Sequence, residues 1–342
     1  MRHGRLALVR PLAWSLPLLC GALLLATAIG ETSLDLGVVL KVLANKLAGA
    51  AWAVDPIDEG IVWNYRLPRA LVAGACGAGL AICGVILQAL LRNALAEPYL
   101  LGISAGASTG AVMVSVVGVG GGIVSLSAGS FLGALLAFGL VVLLARSSRL
   151  SGSAGLIILA GIASSQLFNA LTAFVIARSA NAEQARGILF WLLGNLSGVR
   201  WPSVGLAVPV AVLGLALCWW QRRALDAFTF GADSAASLGI AVGRVQVLLM
   251  TCAALVTAVM VALVGSIGFV GLVIPHALRL LVGPGHARVV PLSAIAGAVF
   301  LMAADVVSRT LIKGQVLPIG VITALIGAPV FAGLLLYGER HR

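Results

Sequence analysis

PYLLGISAGASTGAVMVSVVGVGGGIVSLSAGSFLGALLAFGLVVLLA, residues 98–145, runs for 48 residues without one Asp, Glu, Lys or Arg. A helix rises about 1.5 Å per residue and the hydrocarbon core is about 30 Å thick, so about 20 residues make one crossing. The stretch therefore reads as two lipid-embedded passes joined by a turn. The rest of the chain agrees: 61% of its residues are hydrophobic, 10% are charged, and there are 42 glycines among 342 residues. A water-soluble domain of that composition would lack polar surface, whereas glycine in lipid lets helix backbones approach closely. The five cysteines, Cys20, Cys76, Cys83, Cys218 and Cys252, fall inside apolar runs without CxxC or Cys/His spacing. They read as packing residues rather than as a disulfide or metal framework.

Charged and Pro/Gly-rich breaks cut the chain into ten apolar runs, near 12–30, 67–91, 99–117, 129–145, 155–177, 202–221, 245–264, 267–283, 291–311 and 319–337. The 34 residues 245–278 carry no Asp, Glu, Lys or Arg, and Gly265, Ser266 and Gly268 divide them into two passes. The expectation is an all-α, polytopic membrane protein with about ten transmembrane helices. Ten passes put both ends on one side, which holds thirteen Lys/Arg and four acids, while the other side holds nine and seven. The positive-inside rule then makes both termini cytoplasmic, so the net charge of +11 is topological and calls for no nucleic acid. Residues 1–342 form one transmembrane domain, with 1–11 as a cytoplasmic N-terminus and 31–66 as an outer segment holding a short surface helix. The first run is long for a secretory signal and reads as a retained anchor. No nucleotide-binding loop occurs, so energy must come from a partner or an ion gradient.

Four stretches differ from generic lipid-facing sequence. RLPR at 66–69 places Pro68 in a first helical turn and aims Arg66 and Arg69 toward the outer aqueous face. QALLRNALAEPYLLGISAG at 88–106 holds a polar turn, then small residues suited to close packing or an unwound segment. Its GxSxG at 102–106 is not a nucleophile elbow, because an apolar helix rather than a strand surrounds Ser104. FGADSAASLGIAVGR at 230–244 reads as a short inner-face helix, capped by Asp233 or Ser234 and ended by Gly239, that forms a docking surface. GSIGFVGLVIPHALR at 265–279 combines three helix-weakening glycines with Pro275 and an intramembrane histidine, His276.

Together and in this order the four stretches resemble the permease subunits of the FecCD family, ATP-driven importers of iron-siderophores, haem and cobalamin. The resemblance covers about residues 60–337. It rests on RLPR, on Asn93, Glu97, Pro98, Gly102 and Gly106, on 231–239, on Gly268, Gly271, Pro275, His276 and Arg279, and on LPIG with Pro318 and Gly320. It implies two such permeases on two ATP-binding-cassette ATPase subunits in a bacterial cytoplasmic (inner) membrane, with a periplasmic binding protein outside. Carried over by residue, Arg66, Arg69 and Arg309 would receive acids of the binding protein, arginine's planar fork suiting carboxylates. Gly231, Asp233, Ser234, Ala235, Leu238 and Gly239, within a cytoplasmic coupling loop at 222–244, would seat on the ATPase. Ser164, Ser165, Gln166, Asn169 and Thr172 of the fifth helix would line the path, and Ser165, Asn169 and Thr172 share one helix face.

Three positions depart from the family pattern: Ala94 for a proline, Val316 for an acid, and Ala232 with Asp233 for an acidic pair. The family likeness implies no catalytic residue, no bound metal and no cofactor of the chain's own, with ATP and Mg on the ATPase. The expected cargo is an iron-siderophore, with haem or cobalamin as the alternative. A rival from another class is an ion-coupled carrier using Asp305, and a more distant one is an intramembrane serine protease using Ser104.

Overall fold

In a computed structural model the chain is all-helical, and every residue is described except 1, 31, 33, 123, 148–153, 180 and 341–342. Arg149 and Arg342, both counted in the charge bias, lie outside the described residues. The order begins α1 (Arg2–Ala28), α2 (Leu36–Ala48), α3 (Pro56–Gly60), a π-helical segment Ile61–Arg66, and α4 (Leu67–Leu90). A 3₁₀ turn, Pro98–Leu101, leads into α5 (Ile103–Ser115), followed by α6 (Leu126–Ser147), α7 (Ala154–Ser179) and α8 (Ala182–Leu192). Then come α9 (Trp201–Trp220), α10 (Arg222–Phe228), α11 (Ala232–Ser237) and α12 (Val242–Val264). The chain closes with α13 (Val270–Val282), α14 (His286–Thr310) and α15 (Ile319–Arg340).

Each of the ten apolar runs lies on a helix, but the runs are not alike. Among the described residues six helical stretches, Pro56–Leu90, Leu126–Arg146, Ala154–Arg178, Trp201–Trp220, Val242–Val264 and His286–Thr310, are long and apolar enough to cross a membrane. The apolar parts of the other four, Ser15–Ala28, Ile103–Ser115, Val270–Val282 and Ile319–Leu334, are shorter. Runs 99–117 and 267–283, read from sequence as whole passes, are half-helices preceded by non-helical chain. Pro98 and left-handed Gly102 break the first, and Gly265 with left-handed Phe269 breaks the second. Non-helical backbone at membrane depth persists only where protein or an aqueous cavity surrounds it.

Helix α4 is the axis of the bundle, with nearly every side chain buried against α9, α12, α13 and α14. Glycine makes the approach possible: a Cβ on Gly77 would collide with the carbonyl oxygen of Gly297 on α14, and one on Gly297 with that of Gly77. The opening stretch supplies the second close crossing, where Gly106 and Gly110 of α5 meet Gly129 and Gly133 of α6 backbone to backbone. Both are small-xxx-small pairs, the pattern that packs helices where lipid supplies no hydrophobic drive. Large apolar side chains such as Leu136, Leu213, Trp220 and Leu281 point outward. At one end Trp63 and Trp201 pack at a tilt of 42° with ring centroids 4.8 Å apart, and Trp201 Nε1 donates to the Trp63 carbonyl at 2.9 Å. Aromatic rings gather in this way at a membrane interface. Following the orientation expected from sequence, the end with Arg66 and Arg309 is labelled outer and the end with Arg92 and His286 inner.

Candidate functional site

At the outer end the three predicted docking arginines turn inward. Arg66 is 7% exposed; Nη1 donates to the Ala28 carbonyl at 2.5 Å and the Thr27 carbonyl at 3.4 Å, and Nη2 to Thr32 Oγ1 at 2.9 Å and to the Thr32 carbonyl. Arg309, also 7% exposed, donates to the Ala26 and Ile29 carbonyls at 3.0 and 3.1 Å. Helix α1 ends at Ala28, so the Ala26, Thr27 and Ala28 carbonyls are among those that a helix C-terminus leaves without intrahelical partners. Two guanidiniums satisfy them and oppose the negative end of the helix dipole. Arg69 binds Asp305 Oδ1 through Nε at 2.9 Å and Nη2 at 2.8 Å, while Arg309 Nη2 stands 3.1 Å from Oδ2. Asp305 is fully buried between them. The sequence expectation that Arg66 and Arg69 face outer water is therefore corrected: a buried carboxylate and the bare carbonyls of α1 draw them inward. Arg200, which the sequence reading did not single out, is exposed at this end and lies over the Tyr65 ring at 4.3 Å.

Halfway down, the two broken segments lock together. Tyr99 OH accepts from the Ile267 N–H at 2.6 Å and donates to the Ile267 carbonyl at 2.8 Å. Ser104 Oγ lies 2.5 Å from Ser266 Oγ, so the serine of GxSxG serves this junction and is not presented to a His/acid pair. A Cβ on Gly271 would meet Pro98, and the Glu97 carboxylate accepts from the Phe269 N–H at the start of α13. Gly320 and Ile319 at the start of α15, the residues after Pro318, donate to the carbonyls of Leu193 and Gly194 at 2.9 and 3.0 Å. Between these segments and α15 opens a cavity of about 480 Å³ lined by Leu193, Ser266, Gly268, Phe269, Val321 and Leu325. The predicted path residues on α7 divide. Ser164 is buried and donates to the Ala137 carbonyl at 3.2 Å, and Thr172 is buried 2.8 Å from Thr109 Oγ1. Ser165 is half-buried, and Gln166 and Asn169 are exposed. The packing of α5 and α6 against one side of α7 decides which side each falls on.

The inner end holds the short helix that the sequence placed there. Its start is corrected by two to three residues: Gly231, with φ +108°, is the N-cap, and Asp233 and Ser234 lie inside the first turn. Asp233 still favours the helix dipole from there, and Ser234 Oγ donates back to the Phe230 carbonyl at 3.1 Å. The end is as predicted, since Gly239 has φ +81°, its N–H bonds the Ala236 carbonyl and the Ile240 N–H bonds the Ala235 carbonyl, a Schellman closure. Ala235 anchors α11 inward while Phe230 and Leu238 are more than two-thirds exposed. Beside the knob, Arg279 holds Gln88 Oε1 and Gln88 Nε2 donates to the Gly271 and Leu272 carbonyls at 3.2 and 3.1 Å. Asn93 Oδ1 accepts from the Leu95 N–H at 2.9 Å, an Asx turn that forms without the family's proline at 94. His276 lies edge-on to Phe331 with ring centroids 6.3 Å apart, joining α13 to α15.

One inner contact has no counterpart in the motifs. Asp226 Oδ1 accepts from both the Nδ1 and the backbone N–H of His286, at 2.7 and 2.8 Å. Partial burial raises the Asp226 pKa, but the bonds from His286, its charge and that of Arg222 outweigh burial and hold it below its ordinary 3.8. Sequence reasoning had no signal for a pair 60 residues apart.

A broken-helix bundle with small-residue crossings, an outer arginine cluster and an inner apolar knob defines a multi-pass membrane permease. The FecCD transport family matches residues 18–337, and the chain belongs to that family. The ABC transporter permease protein YvrB of Bacillus subtilis is 39% identical over 327 residues, covering 94% of this chain and 91% of the relative. The cobalamin import system permease BtuC of Halobacterium salinarum is 36% identical over 97% of this chain and 98% of its own. The vitamin B12 import permease of Citrobacter koseri is 37% identical over 90% of this chain and 94% of its own. Among solved structures, an inward-facing metal-chelate type ABC transporter aligns with TM-score 0.83 and 30% identity, covering 96% of this chain and 99% of that one. The chain is thus an ABC importer permease.

Proposed function

We propose that this permease carries a cobalamin-type metal chelate from periplasm to cytoplasm through a bacterial cytoplasmic membrane. In this reading ten helices cross with both termini cytoplasmic, α5 and α13 completing their passes with the non-helical segments beside them. A second permease copy or paralogue covers the exposed side of α7, and two ATPases seat on α11. ATP binding shifts α11, the two permeases rock between outward and inward openings, and the cargo passes along the faces of α7 and α15. Nothing in the chain performs chemistry, and ATP with Mg stays on the ATPase.

The observation carrying the energy source is α11, a rigid helix closed at both ends by glycine that displays Phe230 and Leu238 instead of burying them. Exposed apolar side chains on a short capped helix suit a protein partner. For the cargo, cobalamin is preferred to the siderophore expected from sequence because two full-length relatives are named for it. A ferric siderophore is the second reading, favoured by the metal-chelate type of the solved relative. Outside, an acidic lobe of the binding protein would meet Arg200, Lys313 and the outer edge of Arg69, with Arg66 and Arg309 holding the frame. The ion-coupled rival loses its best residue, because Asp305 is neutralised by two arginines instead of facing a cavity.

The test is uptake of labelled cyanocobalamin, and in parallel of a labelled ferric hydroxamate, in cells lacking their own permeases for both. Uptake of cyanocobalamin that needs the ATPase partner supports the proposal. Uptake that survives deletion of the ATPase but collapses with an uncoupler overturns it.

A further inference from the structure

His286 is the first residue of α14, follows the turn Gly283, Pro284, Gly285, and is fully buried. With Nδ1 committed to Asp226, its Nε2 is buried with no hydrogen-bond partner among the described residues. Asp226 sits on α10, whose Leu225 and Phe228 are buried in the core and which packs on α4 and α14. The link from α10 to α11 is short and internally bonded: Thr229 Oγ1 donates to the Asp226 carbonyl at 2.6 Å and the Gly231 N–H to the Phe228 carbonyl at 3.0 Å. Toward its far end, about 28 and about 35 Å away by helix rise, α14 carries Asp305 and Arg309.

Apolar contacts are non-directional and let surfaces slide, whereas a doubly bonded carboxylate fixes one element to another in both distance and angle. We propose that the Asp226–His286 pair is a positioning contact that passes movement of α11 through α10 to the foot of α14, and along α14 to the outer arginine cluster. The inference rests on the reading of α11 as the ATPase-facing helix. It adds a second route from knob to membrane beside the direct chain connection into α12. Asp305 then moves with α14, so the grip on Arg69 at the outer mouth responds to events at the inner face.

The test uses the full permease with its ATPase partner in nanodiscs, its five cysteines replaced and an environment-sensitive fluorophore attached at Leu311→Cys, an exposed site just beyond α14. ATP with vanadate is the only ligand required. The wild-type pair gives an ATP-dependent fluorescence change. Asp226→Ala removes most of that change while ATP hydrolysis stays within about twofold, the pattern of a lost coupling interaction rather than a lost fold. Because Asp226 is half-exposed, that variant opens no cavity. His286→Asn, whose amide N–H can take the place of the ring Nδ1–H, restores the change, and His286→Ala does not. A wild-type-size change in Asp226→Ala, or a change that falls only in proportion to ATP hydrolysis, overturns the inference and leaves the importer reading intact. Failure of any ATPase to bind the wild-type chain overturns both, and the two failures are thereby told apart.

Discussion

Replacing Asp305 with alanine should unbalance the outer end of the bundle. The wild-type cluster sets one fully buried carboxylate against two guanidiniums: Arg69 holds Oδ1 at 2.8 and 2.9 Å and Arg309 stands 3.1 Å from Oδ2. Removing the acid leaves two cations facing each other without a counter-charge. Arg309 keeps its bonds to the Ala26 and Ile29 carbonyls, but Arg69 keeps only a 3.4 Å contact to Ser197 Oγ. Breaking a buried pair by deleting one partner costs about 3–5 kcal/mol. Deleting Arg69 as well, as Arg69→Met with Asp305→Leu, removes the unpaired cation and substitutes apolar packing. The double variant should therefore be more stable than Asp305→Ala by roughly 2 kcal/mol, a non-additivity expected of groups in one ion cluster. The assay is the thermal midpoint of the purified permease in detergent, followed by loss of the monodisperse species. Asp305→Ala should fall by several degrees and the double variant by clearly less. Equal midpoints for wild type and Asp305→Ala would refute the reasoning, as would a double variant that simply summed two independent losses.

Gly77→Ala should lower the yield of folded permease sharply, since its Cβ runs into the Gly297 backbone, whereas Gly139→Ala, with nothing within 4 Å, should leave yield unchanged. Asp226 gives a pH dependence of known sign. Its folded pKa lies below the ordinary 3.8, so its contribution is present at neutral pH and is lost as pH falls through 3.8 and then the folded value. The stability gap between wild type and Asp226→Ala should close as pH falls below 3.8; a gap that persisted unchanged into strong acid would reverse the assignment. Leu238→Asp should abolish co-purification of the ATPase while leaving the permease's own melting unchanged, because Leu238 is 71% exposed and supports no packing.

Motif roles and structural roles separate most clearly at the arginines. RLPR was legible as a motif. That Arg66 and Arg309 would cap α1 was not, because the carbonyls they bind are 34 to 39 and about 280 residues away along the chain. The same holds for Gly129 and Gly133, whose spacing was visible but whose partners Gly106 and Gly110 were set only by packing. Tyr99, absent from the sequence reading of the site, proved to be the bolt between the two broken segments.

By itself the sequence determined the bilayer as solvent, the ten apolar runs, the family and the position of the inner knob. Those properties are local: hydropathy, glycine breaks and motif order act over a few to about 20 residues, which is the length a helix needs to cross. Tertiary structure decided which runs are whole spans and which are half-helices, which polar side chains of α7 are buried, and where every buried charge finds its partner. A guanidinium or carboxylate away from water takes the nearest complementary group in space, and sequence separation says nothing about which group that is.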